Sequence, residues 1–163
     1  MKISIIYFSK TGKTLTMAEE IAKGMKSIDN IEVGIFDVEN IDYEYIKESK
    51  AVVFGTPTYY ANTCWQIKKW FDESWNYNLA GKIGGVFATA NFAQGGADTA
   101  ILTIINHLMV KGMLVYSGGS AVGEPYIHLG PVALRENFEE SKELFNIFGK
   151  RIDKKCIELF NVN

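Results

Sequence analysis

Apolar residues along the chain switch repeatedly between continuous runs and helical stripes. Lys2 to Phe8 is a near-continuous apolar run containing β-branched residues, as expected of a strand covered on both faces. From Lys13 the period changes: Leu15, Ala18, Ala22 and Met25 predict a helix ending near Ser27. Asp29-Asn30 predicts a turn, and Ile31 to Val38 alternates into a second strand. Tyr43 to Glu48 is a short helix and Ala51 to Gly55 a third strand, again apolar throughout. Cys64, Ile67, Phe71 and Trp75 share one face of the next helix. Lys82 to Thr89 predicts a fourth strand and Asp98 to Lys111 a helix with Ile101, Ile105, Leu108 and Met109 inward. Met113 to Tyr116 is a brief fifth strand, followed by a Gly- and Pro-containing loop from Ser117 to about Arg135. Phe138, Ser141, Phe145, Phe148 and Ile152 then mark a last helix by their spacing of three and four.

Five apolar strands separated by helices imply an α/β chain with a parallel sheet and helices on both faces. Its 163 residues, 47% hydrophobic and 22% charged, fit one domain over residues 1–163. The net charge is -2 with both signs dispersed, so no basic patch points to nucleic acid. The first segment reads as a strand and not as a secretion signal, and no stretch of 18 uninterrupted apolar residues would span a membrane. A cytoplasmic location is the expectation. Cys64 and Cys156 lie far apart without zinc-ligand spacing or nearby histidines, so no metal site is expected. Two reduced thiols are the plain reading, with Cys64 kept as a candidate reactive thiol.

In open parallel sheets ligands bind beyond the carboxyl ends of the strands. The segments there are Ser9 to Thr14, Thr56 to Thr63 and Ala90 to Ala97, all rich in Gly, Thr, Asn or aromatic residues. Ser9-Lys10-Thr11-Gly12-Lys13-Thr14 joins the first strand to the first helix, so hydroxyls, backbone N–H groups and the positive helix end converge on one point suited to a phosphate. Gly12-Lys13-Thr14 resembles the end of a triphosphate-binding P-loop, but that motif needs a glycine where Tyr7 stands. The dinucleotide fingerprint is missing as well. A tight loop for a terminal monoester phosphate remains, against the plainer alternative of a hydroxyl helix cap.

In the second loop, Pro57-Thr58-Tyr59-Tyr60-Ala61-Asn62 offers rigid polar backbone and two rings to a flat aromatic ligand. In the third, Thr89-Ala90-Asn91-Phe92 and Gly95-Gly96 combine small residues for close approach with amide side chains. These loops, read together, resemble those of the flavodoxin-like FMN-binding family. Ser9 to Thr14 is similar to the family's FMN phosphate loop, and Gly55-Thr56-Pro57-Thr58-Tyr59-Tyr60-Ala61-Asn62 to the G-T-P-T-aromatic-x-N loop of its WrbA-type NAD(P)H:quinone reductase branch. The resemblance runs from Met1 to about Leu134 and implies a doubly wound five-stranded parallel sheet of order 2-1-3-4-5 with FMN as cofactor. Two departures stand out: Ala61 where the reductases carry glycine, and Asn91-Phe92-Ala93-Gln94 ahead of Gly95-Gly96 in a loop that is glycine-dense in that branch.

On this reading the chain is an FMN-dependent oxidoreductase, passing electrons from NAD(P)H to a quinone, flavin or similar acceptor. The alternative is a one-electron carrier between redox partner proteins, of the kind whose members are strongly acidic, unlike this chain. Thr58, Tyr59 and Asn91 are expected along the ring's polar edge, with no cationic side chain evident beside it. Lys10 or Lys13 would balance the phosphate. His128, in the long loop, is a candidate proton donor or else a plain loop histidine, and His107 reads as structural. Trp65, Trp70 and Trp75 are either core residues or a homodimer surface.

Overall fold

The computed structural model describes residues 1–26 and 31–160. The turn expected at Asp29-Asn30 and the helix end expected near Ser27 lie outside the described residues. Strands β1 (Lys2–Tyr7), β2 (Glu32–Asp37), β3 (Ala51–Pro57), β4 (Ile83–Ala90) and β5 (Leu114–Val115) form a parallel sheet in the order β2-β1-β3-β4-β5. Between them run α1 (Lys13–Met25), α2 (Tyr43–Glu48), α3 (Trp65–Glu73) and α4 (Ala97–Val110), with α5 (Lys142–Phe160) closing the chain.

Strand alternation splits the core into two layers. Ile6, Val52 and Phe54 face Ile67, Phe71, Ile101 and Leu108 on the α2–α4 side. Ile3, Ile5, Ala51 and Val53 face Met17, Ile21, Phe145, Phe148 and Ile152 of α1 and α5 on the other. Burying each such large side chain contributes about 1.5–3 kcal/mol, which is why strands apolar on both faces sit centrally. Cys64 and Cys156 are buried on opposite sides of the sheet, both as free thiols.

Four expectations change, the first being that α5 begins at Lys142, so Phe138 and Ser141, expected on it, lie in the turn before it. The fifth strand position is split: β5 pairs with Ile83 and Gly84 only, and a sixth strand, β6 (Val132–Leu134), takes over beside Ala88–Ala90. A three-residue strand after Pro131 is too short for its pattern to stand out from the surrounding loop. Of the residues expected inward on α4, Ile101, Ile105 and Leu108 are buried, whereas Met109 is exposed and Ala97, Ala100 and Ile104 complete the inner face. Trp75, expected on the inner face of α3, lies beyond that helix and is exposed, whereas Trp70 is in the core.

The segment between β5 and β6 is held by one side chain. Arg151 of α5, itself buried, donates to the carbonyls of Gly118, Gly119, Gly123 and Pro125 at 2.9–3.3 Å. Five fixed guanidinium donors suit this convergence of carbonyls better than an ammonium would.

Candidate functional site

The carboxyl ends of β1, β3 and β4 meet at a cavity of about 360 Å³. Its first wall is the β1–α1 loop. Gly12 stands at the N-terminal boundary of α1 with φ of 84°, a left-handed angle that a side chain would resist. No side chain caps the helix, so the hydroxyl-cap alternative does not apply. The first bonds back to the helix start are from Thr16, whose N–H and hydroxyl both reach the Gly12 carbonyl, at 2.9 and 3.2 Å. The preceding N–H groups are left for another acceptor.

Two hydroxyls confirm the polar need of the cavity. Ser9 Oγ and Thr58 Oγ1 are buried without a hydrogen-bond partner, and both residues line it. Orphaned buried hydroxyls are rare in folded chains and mark places where a ligand or water completes the bonding. Thr14 Oγ1 lies 3.0 Å from Thr89 Oγ1, tying the first loop to the end of β4.

The second loop is a tight turn. Tyr59 and Asn62 exchange two backbone hydrogen bonds of 3.0 Å, and Tyr60 and Ala61 between them have φ of 50° and 57°. Both central residues at positive φ make a turn that normally selects Asn and Gly. A side chain at Gly96 would overlap the Ala61 methyl, so the alanine in the second loop requires the glycine in the third. Thr56 anchors the return: its Oγ1 accepts from Thr63 Oγ1 at 2.9 Å and from Cys64 N–H at 3.1 Å. Burial pushes the Cys64 thiol up, against partial relief from that Thr56 hydroxyl and the start of α3, so it is a protonated core group and not a reactive thiolate.

Of the residues singled out from sequence, Ser9, Lys10, Thr11, Lys13, Thr14, Pro57, Thr58, Tyr59, Thr89, Ala90 and Asn91 line the cavity together. Gly12, Ala61, Asn62, Gly95 and Gly96 shape its loops without lining it. Tyr60 and Phe92 are fully or largely exposed and lie outside the lining. His128 is exposed on the segment between β5 and β6 and is not among the lining residues, so the structure does not bring it to the cavity. His107 packs against Phe71 near the C-terminal end of α4, away from the cavity.

Three lining residues escaped the sequence: Ala133, Arg135 and Phe138. Arg135 adds a cation to the lining beyond Lys10 and Lys13, and its backbone N–H donates to the Ala90 carbonyl at 3.0 Å. Phe138 lies in the turn before α5, where Lys13 Nζ sits 5.5 Å from its ring centroid. The short apolar run Val132–Leu134 was the available signal, since any strand there would end at Arg135.

Among known proteins, the flavodoxin family model matches residues 5–96. A flavodoxin of Clostridium saccharobutylicum is 54% identical over 160 residues, spanning 98% of this chain and 100% of that protein. An NAD(P)H dehydrogenase (quinone) of Aromatoleum aromaticum is 30% identical over 154 residues, covering 77% of this chain and 72% of the relative. The structure of Fusobacterium nucleatum flavodoxin bound to flavin mononucleotide superposes with a TM-score of 0.68 at 22% identity, over 98% of this chain and 97% of that one. A family match over more than half the chain, together with a near-full-length relative at this identity, shows that the chain belongs to the flavodoxin family.

Proposed function

We propose that the cavity binds FMN and that the chain carries electrons one at a time between redox partner proteins. The observation that carries FMN binding is the pair of orphaned buried hydroxyls, Ser9 Oγ and Thr58 Oγ1, opening onto a cavity beside an uncapped helix N-terminus. Ser9, Thr11 and Thr14 hydroxyls and the N–H groups from Lys10 to Thr14 would take the phosphate, with Lys10, Lys13 and Arg135 supplying positive charge. Pro57, Thr58, Tyr59, Thr89, Ala90 and Asn91 would line the ring, whose edge needs donors and acceptors and whose face needs apolar cover. Gly12, Ala61, Asn62, Gly95 and Gly96 hold those loops in shape. FMN, once bound, accepts a hydride or single electrons by its own chemistry.

What favours a carrier is the 54% identity along the full length of a flavodoxin, against 30% to a quinone dehydrogenase. Tyr60 and Phe92 add exposed apolar rings to the loops around the cavity, a surface that a protein partner can bury. No proton transfer is assigned to His128. The second reading, an NAD(P)H-dependent oxidoreductase, rests on the quinone dehydrogenase relatives.

Calorimetry of the apoprotein with FMN tests the cofactor: failure to bind refutes the whole reading. Anaerobic addition of NADPH to the FMN-loaded protein then separates the alternatives. A carrier keeps its visible flavin band and is reduced only through a donor protein, whereas rapid bleaching by NADPH alone makes the chain an enzyme.

A further inference from the structure

A second cavity lies apart from the cofactor site. About 600 Å³ in volume, it lies at the opposite end of the sheet, between the C-terminal ends of α3 and α4 and the segment leading into β4. It shares no lining residue with the site described above. Its volume falls in the range of small-molecule sites.

The walls are largely aromatic. The Phe71 and His107 rings lie with centroids 4.7 Å apart at an angle of 31°, and Trp75 and Tyr77 share the lining. His107 Nδ1 lies 2.7 Å from the Thr103 carbonyl, which only accepts, so Nδ1 carries the hydrogen and the ring is fixed in orientation. Trp75 is 85% exposed, an apolar surface that a bound ring would cover.

The charge is of one sign. Lys111 lines the cavity, donates to the Ser74 carbonyl at 2.6 Å and lies 5.8 Å from the Trp70 ring centroid. No carboxylate pairs with it among the described residues. The acids lining the adjoining recesses have other partners: Glu73 pairs with Lys69 and Glu44 with Lys47. The recess that shares Asn76 and Tyr77 with the larger cavity contains Trp70, 7% exposed, whose buried indole N–H has no acceptor. The half-buried Lys111 cation without a counter-ion suits an anionic oxygen ligand, and the Trp70 N–H leaves room for a further acceptor in the neighbouring recess.

We propose that this cavity is a second ligand site, taking a small planar aromatic carboxylate with its ring against Phe71, His107 and Trp75 and its carboxylate on Lys111. The site is independent of flavin and of the direction of electron flow.

The test is an NMR titration of 15N-labelled protein with 2-naphthoate, with and without FMN. The expected result is saturable shifts at the Trp75 indole and the side-chain amides of Asn76, Asn78 and Asn106, with residues 9–14 unmoved and the affinity unchanged by FMN. The neutral isostere 2-naphthalenemethanol is expected to bind at least about tenfold more weakly, as loss of a charge-assisted hydrogen bond requires. Lys111→Met is expected to lose about the same factor and Lys111→Arg to recover it. Absence of saturation, equal affinity for the alcohol, or competition with FMN would each overturn the proposal. Because the ligand comparison uses the unaltered chain, the outcome does not depend on how the variants fold.

Discussion

Asp153 gives the sharpest physical test of the fold. It lies on α5 with no exposed surface, and neither carboxylate oxygen has a hydrogen-bond partner. Desolvation raises its pKa from 3.8 to about 6. A folded-state value above the unfolded one means that the folded chain prefers the neutral acid. The corresponding stability is fully present below about pH 3.8 and is lost as pH rises through about 6. The full shift corresponds to about 3 kcal/mol, of which about 2 kcal/mol falls between about pH 4.5 and about pH 8. Asp153→Asn carries a constant cost or gain from its amide, but that constant cancels when the variant and the parent are compared at two pH values. The apoprotein variant should therefore gain about 2 kcal/mol relative to the parent on going from about pH 4.5 to about pH 8, read from urea midpoints at constant slope. In thermal melts the same change is about 4–8 °C for a chain of this size. Parallel stability–pH curves for the two proteins would refute the claim that this carboxylate is buried without compensation. Burial first, and the Asp153 charge second, also push the Cys156 thiol up to about 12, so alkylation of native protein at neutral pH should spare it.

Ser9→Ala and Thr58→Ala should each weaken FMN binding about tenfold or more in calorimetry while leaving apoprotein stability level or higher, since neither hydroxyl has an internal partner. A matching loss of apoprotein stability would mean that those hydroxyls serve the fold. Gly96→Ala should destabilise the protein by about 2–4 kcal/mol in chemical denaturation, through a positive φ of 81° and the overlap with Ala61. Ala61→Gly alone should be neutral or stabilising by up to about 1 kcal/mol, and the double variant should recover part of the Gly96→Ala loss. Arg151→Met should open the segment between β5 and β6 to limited proteolysis, because four carbonyls lose their shared donor. Unchanged cleavage rates would show that the segment holds itself.

How far the site was legible depended on the scale of the signal. Alternating apolar strands and amphipathic helices specified a parallel sheet, because burial on both faces leaves strands such as Ala51–Gly55 no polar position. The connectivity then put the segments after β1, β3 and β4 at one end, so most of the cavity wall, from Ser9 to Asn91, was readable from their polar residues. Other features followed only from the folded chain. Whether Met109 or Ile104 faces inward depends on the angle at which α4 meets the sheet, and a three- and four-residue period does not set that angle. β6 forms because β5 stops after two residues and leaves Ala88–Ala90 with open backbone groups, a need created by the partner strand. Arg135 and Phe138 reach the cavity through that pairing, and the Ala61–Gly96 contact joins residues 35 positions apart. The near-neutral charge pointed toward an enzyme, whereas the relatives favour a carrier, because net charge reports on solubility and encounter and not on the chemistry of a site. Local sequence thus determined which segments are strand, helix and polar loop, since burial and backbone bonding act residue by residue. Which loops touch, which rings stay in water and which cations meet in one cavity were decided by packing between segments distant in the chain.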